Sequence, residues 1–313
     1  MKNTLICIRF YNANEKTQIG MTTRPKVRTT EESPYRLVAT LLKRLEEPAQ
    51  CFEVDPKRQT TLVGRLGTRL TIFPKAFRDA KGNIMDMPVE LQLREHFSKK
   101  DIFLSNKMTT SRDRLFESAG QLWVAAFYEG RPLDLTYPIS VELPVRPGLR
   151  NPLNVRLYSG STASTRSFVP DVSFDWQLSD KKTLPIRRVL EKKYYRFWLY
   201  QFNWINCKNT ISRRKGRGMI SAKAVSLVKK FDDLMAFLVF SNTTSMSRML
   251  QTNDHFTAFN IPSKFGARVL MVGVHQDVIY YGVREIKKTT NCQVFVHMEP
   301  VTSSELSKKL DLI

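Results

Sequence analysis

From Leu62 to Val145 the chain repeatedly alternates apolar and polar residues, a period of two that suits a half-buried strand. Val89, Leu91 and Leu93 fall on one face of such a strand and Glu90, Gln92 and Arg94 on the other. Arg69–Phe73 is a second short run, stopped by Pro74, which has no N–H to give a ladder. Asp79–Asn83 is a turn, with Gly82 free to take positive φ. Leu122–Tyr128 is apolar on both faces and suits a covered strand, and Glu129–Pro132 turns the chain back. Ile139, Val141, Leu143 and Val145 alternate again before Pro147 and Gly148. Short strands with turns between them predict an antiparallel sandwich.

A chain of 313 residues with 42% hydrophobic content has room for two such cores. The pattern therefore predicts an all-β protein of two antiparallel, Ig-like β-sandwich domains with short flanking helices. Residues 1–48 form an N-terminal segment, in which Leu37, Leu41, Leu42 and Leu45 predict one amphipathic helix packed on the first sandwich. Residues 49–147 are the first sandwich and 148–193 a linker. That linker is expected to be mostly irregular, because it follows Pro147 and carries Gly148, Pro152 and the small polar run Ser159–Thr165. Within it Arg187–Lys193 is read as a short helix. Residues 194–301 are the second sandwich, with strands near 197–204, 234–240, 256–259, 268–274, 278–283 and 292–298. Leu306 and Leu310 place a closing helix in 302–313.

No run reaches the ~18–20 apolar residues that span a bilayer. Arg9 interrupts the apolar patch after Met1, so the sequence reads as lacking a secretory leader. The protein then stays in the cell, or its start lies upstream. Cys7, Cys51, Cys207 and Cys292 are scattered without CxxC spacing, which argues against zinc. Cys207 and Cys292 share the expected second domain, so either a disulfide or two buried free thiols fits them, the thiols being preferred.

The formal net charge is +21, and it is unevenly placed. Lys181–Lys230 holds 15 Lys and Arg against one acid, Glu191. Such a field attracts polyanions or is simply a solvated face. Its densest part is Arg213, Arg214, Lys215 and Arg217, a candidate polyanion-binding loop without P-loop spacing. Upstream, Tyr195, Phe197 and Leu199 share one strand face, and Trp198, Tyr200, Phe202 and Trp204 the other. That stripe is either a stacking platform for single-stranded nucleic acid or, the preferred reading, buried core.

Residues for catalysis do not assemble in sequence. His96, His255, His275 and His297 lack HxxxH or HExxH spacing, and no GxSxG elbow occurs. Glu90 and Glu95 are not evenly spaced on a strand as a glycosidase pair, and Asp277 reads as a turn former. No enzyme activity, cofactor or metal is expected. Two of Glu90, Glu95, Asp101, Glu117 and His96 meeting in one cleft would change that.

The stretch 67–111 (GTRLTIFPKAFRDAKGNIMDMPVELQLREHFSKKDIFLSNKMTTS) and 114–126 (RLFESAGQLWVAA) resembles a recurrent module of Bacteroidota cell-envelope proteins of uncharacterised function. The matching residues are Gly67, Thr68, Pro74, Ala76, Phe77, Glu90, Leu91, Arg94, Glu95, Asp101, Leu104, Asn106, Thr110, Ser111, Glu117 and Gly120. FNWINC (202–207) is similar to a Trp-Ile-Asn-Cys signature of the same proteins, there followed by Asp-Arg-Phe and here by Lys208-Asn209-Thr210. The tail 299–310 also resembles the family's ending. The resemblance implies an exported protein of the periplasm or outer membrane that binds or assembles without catalysis. Envelope proteins, glycans or other polyanions are the expected partners. A nucleic-acid-binding protein using residues 181–230 is the alternative, and a glycan-active enzyme the third.

Overall fold

The computed structural model describes residues 36–111, 114–162, 174–189, 191–211, 217–262, 265–287, 289 and 291–313. Helix α1 (Arg36–Leu45) precedes β1 (Gln50–Val54), β2 (Thr60–Val63), β3 (Arg69–Ile72), β4 (Phe77–Arg78) and β5 (Val89–His96). Helix α2 (Lys99–Leu104) leads to β6 (Thr110–Ser111), β7 (Arg114–Tyr128), β8 (Arg131–Pro132), β9 (Asp134–Leu135) and β10 (Ile139–Pro144). There follow β11 (Arg156–Thr162), β12 (Phe174–Leu178), β13 (Ile186–Val189), β14 (Lys192–Leu199) and β15 (Asn203–Thr210). The last part holds β16 (Arg217–Val225), β17 (Asp233–Phe240), β18 (Met246–Arg248), β19 (Leu250–Thr252) and β20 (His255–Pro262). It ends with β21 (Ala267–His275), β22 (Val278–Ile286), β23 (Cys292–His297), β24 (Glu299–Val301) and helix α3 (Ser303–Leu310).

The expected all-β architecture is present as two sandwiches. In the first, sheet A (β1-β5-β7-β15-β11-β12, with β6 and β8 on β7) faces sheet B (β13-β14-β10-β3-β2). Val89, Leu91, Leu93, Ile139, Val141 and Leu143 all enter the core between them, as their alternation requires. In the second, sheet C (β19-β20-β16-β23) faces sheet D (β18-β17-β21-β22-β24). Among the described residues pairing is antiparallel except for β16 with β23, which run parallel. The β21–β22 hairpin turns on Gln276 and Asp277, both at positive φ (47° and 63°), so Asp277 is the turn former it was read to be.

The domain boundaries differ from expectation. Strand β14 pairs with β10 from Ile139↔Leu199 to Pro144↔Tyr194, and β15 pairs with β7, so residues 194–210 complete the first sandwich. The expected linker contributes β11, β12 and β13, and the segment read as a helix at 187–193 is instead the β13–β14 hairpin. Small residues hid β11. Gly160 lies so close to its neighbours that a Cβ there would sit 2.6 Å from the Phe174 ring and 2.9 Å from Trp204 Cβ. An apolar alternation cannot be written where only hydrogen fits. Cys207 and Cys292 consequently lie in different sandwiches, and Cys51, Cys207 and Cys292 are all free thiols.

Helix α1 also packs elsewhere than expected. Strands β17 and β21 are apolar on both faces: Ala236, Leu238, Val269 and Met271 face sheet C, while Met235, Phe237, Leu270 and Val272 face outward. Val38 and Leu42 of α1, Phe103 of α2, and Leu306 and Leu310 of α3 cover that outer face. The apolar stripe of α1 therefore goes to the second sandwich, where its Val38 N–H donates to Asp233 Oδ2 (2.7 Å). Both α2 and α3 open with capping boxes, Ser98 with Asp101 and Thr302 with Glu305.

A polar seam joins the sandwiches. Met246 N–H donates to Thr109 Oγ1 (2.7 Å), whose hydroxyl donates back to the Met246 carbonyl (3.0 Å). Arg248 Nη2 donates to Asn106 Oδ1 (2.7 Å), and Lys99 Nζ to the Ser241 carbonyl (2.9 Å).

Candidate polyanion-binding face

The outer face of sheet B gathers cations and aromatic rings. Alternation along β14 sends Tyr195, Phe197 and Leu199 inward, and Arg196 and Trp198 outward. Trp198 is 38% and Tyr200 72% exposed. The ring of Phe73, just past β3, stacks on Trp198 at 6.0 Å between centroids and 29° between planes. The Arg196 guanidinium lies 6.0 Å from the same indole centroid.

Beside these rings the register places Glu142 opposite both Arg196 and Arg69. Arg69 Nε is 3.1 Å from Glu142 Oε2, and Arg187 Nη1 is 3.4 Å from Oε1. One carboxylate thus stands among three guanidiniums. Farther along, Thr61 and Thr71 hydroxyls meet at 3.1 Å.

The β13–β14 hairpin adds more charge at the sheet edge. Arg188 stands directly opposite Lys193, and Arg187, Arg188, Lys192 and Lys193 are all exposed, as are Lys181 and Lys182 just before them. Like charges directly opposite on a ladder are destabilising, by about 0.2–1 kcal/mol per pair. Charge on an edge strand also deters sheet-to-sheet pairing. That role alone does not call for the stacked rings on the adjoining face.

The residues singled out in sequence meet different fates. Arg213, Arg214 and Lys215 lie outside the described residues. Arg217 opens β16 opposite Pro262, and its side chain lies outside the description as well. The aromatic stripe divides: Tyr195 and Phe197 are core, and Trp198 and Tyr200 are exposed. Phe202 packs on the first core and Trp204 sits on sheet A, because the chain crosses between sheets after Leu199. Sequence reasoning treated 194–204 as one strand and so missed that only its outward half, with Arg196, makes a surface. Phe73, Arg69 and Glu142 join it through register, for which the sequence carried no local signal.

The carboxylates considered for catalysis are held apart. Glu95 accepts from Gln50 Nε2 (2.9 Å) and from the N–H groups of Leu66 (2.9 Å) and Thr68 (3.0 Å), clamping the 64–68 turn. A Cβ on Gly64 would come within 2.4 Å of that carboxylate. Glu117 accepts from Arg150 N–H (3.0 Å) and Asn209 Nδ2 (3.2 Å), while Asp101 caps α2. His96 pairs with Glu46 (3.2 Å), which also meets Arg94 (3.1 Å). Burial pushes the Glu46 carboxyl up, but His96, Arg94 and Lys43 outweigh it and hold it below the usual range. Glu90 lines an open hollow of about 620 Å³ with Glu53 and Glu129, apart from the other four. On sheet C His255 Nδ1 meets Asp254, but its Nε2 faces Gln293 Nε2 at 3.1 Å rather than a hydroxyl or thiol. No cluster of three or more metal-ligating side chains occurs among the described residues.

On the outer face of sheet A, Lys208 is 0% exposed. Its Nζ lies 4.0, 4.2 and 5.2 Å from the ring centroids of Phe116, Tyr158 and Trp176, and has no hydrogen-bond partner. Burial drives its pKa far down, against a smaller opposing pull from Asp175. On the other face of the strand, burial in the inter-sheet core pushes the Cys207 thiol up. Against known proteins, no family model matches the chain and no curated protein is significantly similar to it.

Proposed function

We propose that this is a non-enzymatic binding protein that holds polyanions on the outer face of sheet B and the β13–β14 hairpin. The observation that carries this reading is the gathering of Arg69, Arg187 and Arg196 at Glu142 on the outer face of sheet B, where Lys192 follows on the same side of the hairpin. Of the four exposed hairpin cations, Arg187 itself shares the Glu142 carboxylate with Arg69, and Arg196 stands opposite Glu142 in the register. Repulsion of this kind is relieved when an anion binds, and the released counterions favour association. Glu95, Glu117, Asp101 and His96 are each engaged in holding the fold, which supports a binding role over a catalytic one.

A place in the cell envelope, and kinship with the Bacteroidota envelope proteins, rest on the module at 67–126. Its residues have coherent structural work: Gly67, Thr68 and Glu95 form the turn clamp, and Asn106 joins the seam. An Ig-like character is supported by consecutive strands passing between facing sheets.

Replacing Arg187, Arg188, Lys192 and Lys193 together with Ser tests the proposal. The variant should bind heparin more weakly, with the slope of log affinity against log salt reduced by about 3, since each phosphate-like contact contributes ~0.7–0.9. Its melting should change little, because such surface substitutions stay within about 0.5 kcal/mol each. Heparin binding and salt slope equal to the parent's would refute it.

A further inference from the structure

We infer that the ligand class of this face is an acidic polysaccharide, whose sugar rings lie on Trp198 and Phe73 while its anionic groups meet the arginines. This rests on the polyanion reading above and adds the chemistry of the rest of the ligand. Phosphate, sulfate and carboxylate need only donors, yet the centre of the face holds an acceptor. Glu142 sits at the register crossing of Arg69 and Arg196, with Arg187 on its other oxygen. A carboxylate there repels a bare phosphate backbone, whereas it accepts hydrogen bonds from sugar hydroxyls. Its guanidinium partners leave further N–H groups for the same hydroxyls and for the ligand's own anions. Arg196 Nε is buried with no hydrogen-bond partner.

The apolar part of the face fits the same ligand. The Phe73–Trp198 pair, stacked at 6.0 Å and 29°, turns its remaining ring surface outward as one apolar patch rather than as two separated faces that take successive bases. Arg196 already lies over the indole, so the ring surface left is better matched to the C–H face of a sugar than to an intercalating base. Thr61 and Thr71, 3.1 Å apart, extend the face with hydroxyls that both donate and accept. Five strands at ~4.8 Å spacing make a face roughly 19 Å across, room for several sugars.

The test uses the full chain with four probes at one ionic strength: polygalacturonate, neutral dextran, oligo-thymidylate and heparin. Polygalacturonate and heparin should bind, and oligo-thymidylate more weakly than either. Trp198→Ala and Glu142→Gln should each weaken polygalacturonate at least ten-fold while leaving the salt slope unchanged, and Trp198→Tyr should restore most of the loss. Tyr200→Ala, at the most exposed ring, supplies a second variant whose folding is not at stake, and it should weaken the same probe. If every polyanion binds equally and none of these substitutions matters, the face reads charge alone and the inference fails while the polyanion reading stands. Oligo-thymidylate binding tightest, with Trp198→Ala abolishing it, would assign the face to nucleic acid and also overturn the inference. Binding of no polyanion at all would overturn both.

Discussion

A lysine fully buried against three rings, with no hydrogen-bond partner for its amine, carries a large desolvation cost. Cation–π attraction offsets part of the cost of desolvating Lys208, about 2 kcal/mol or more per good desolvated contact, but burial prevails and depresses its pKa. An unfolded lysine keeps its proton up to about pH 10.4. Between the depressed folded value and that limit, the unfolded chain binds one more proton than the folded one. Stability therefore rises with pH across that window and falls as pH drops through it. Lys208→Met should raise stability at pH 7, by up to about 4 kcal/mol on the scale seen when buried ion pairs give way to apolar residues. It should also remove up to about 1.4 kcal/mol per pH unit of that slope. Denaturant melts of both proteins between pH 6 and 10 check this; parallel stability–pH curves would show that Lys208 keeps its proton on folding.

Among the elements, those with a clean period were legible. Strands β5, β7, β10 and β14 follow alternations visible in Val89–Leu93, Leu122–Phe127, Ile139–Val145 and Tyr195–Leu199, and α3 follows Leu306 and Leu310. Legibility failed where a neighbour, not the segment, set the residue types. Gly160 in β11 is small because Phe174 and Trp204 press on it. The 187–193 segment is charged because it lies at an edge, and charge at close spacing was mistaken for helix. The pairing of Trp198 with Phe73, and of Glu142 with arginines from three strands, follows from non-local register that no window along the chain contains. Helix α2 is a short excursion between β5 and β7, yet its Phe103 meets Phe237 of the second sandwich edge-on at 4.6 Å. Phe103→Ala should therefore cost about 3–5 kcal/mol, with the loss felt in the sandwich that does not contain it in sequence. Hydrogen exchange of Met235–Val239 should accelerate in this variant. Exchange there at the parent's rate would show that α2 is not needed to cover sheet D.

For the whole molecule, three segments outside the second sandwich's strands close its outer face, and the seam at Thr109–Met246 ties the two sandwiches together. The cations and rings of the proposed site lie on sheet B of the first sandwich, and none of them makes the seam's hydrogen bonds. The proposed site is not the loop that charge density favours: Arg213, Arg214 and Lys215 lie outside the described residues, whereas the described cations and rings converge on sheet B. Hydrogen–deuterium exchange of the full chain, with and without saturating polygalacturonate, separates the two directly. Slowed exchange in residues 69–73, 139–144 and 186–199 is the predicted result. Protection confined to residues 211–218, with sheet B unchanged, would contradict the account.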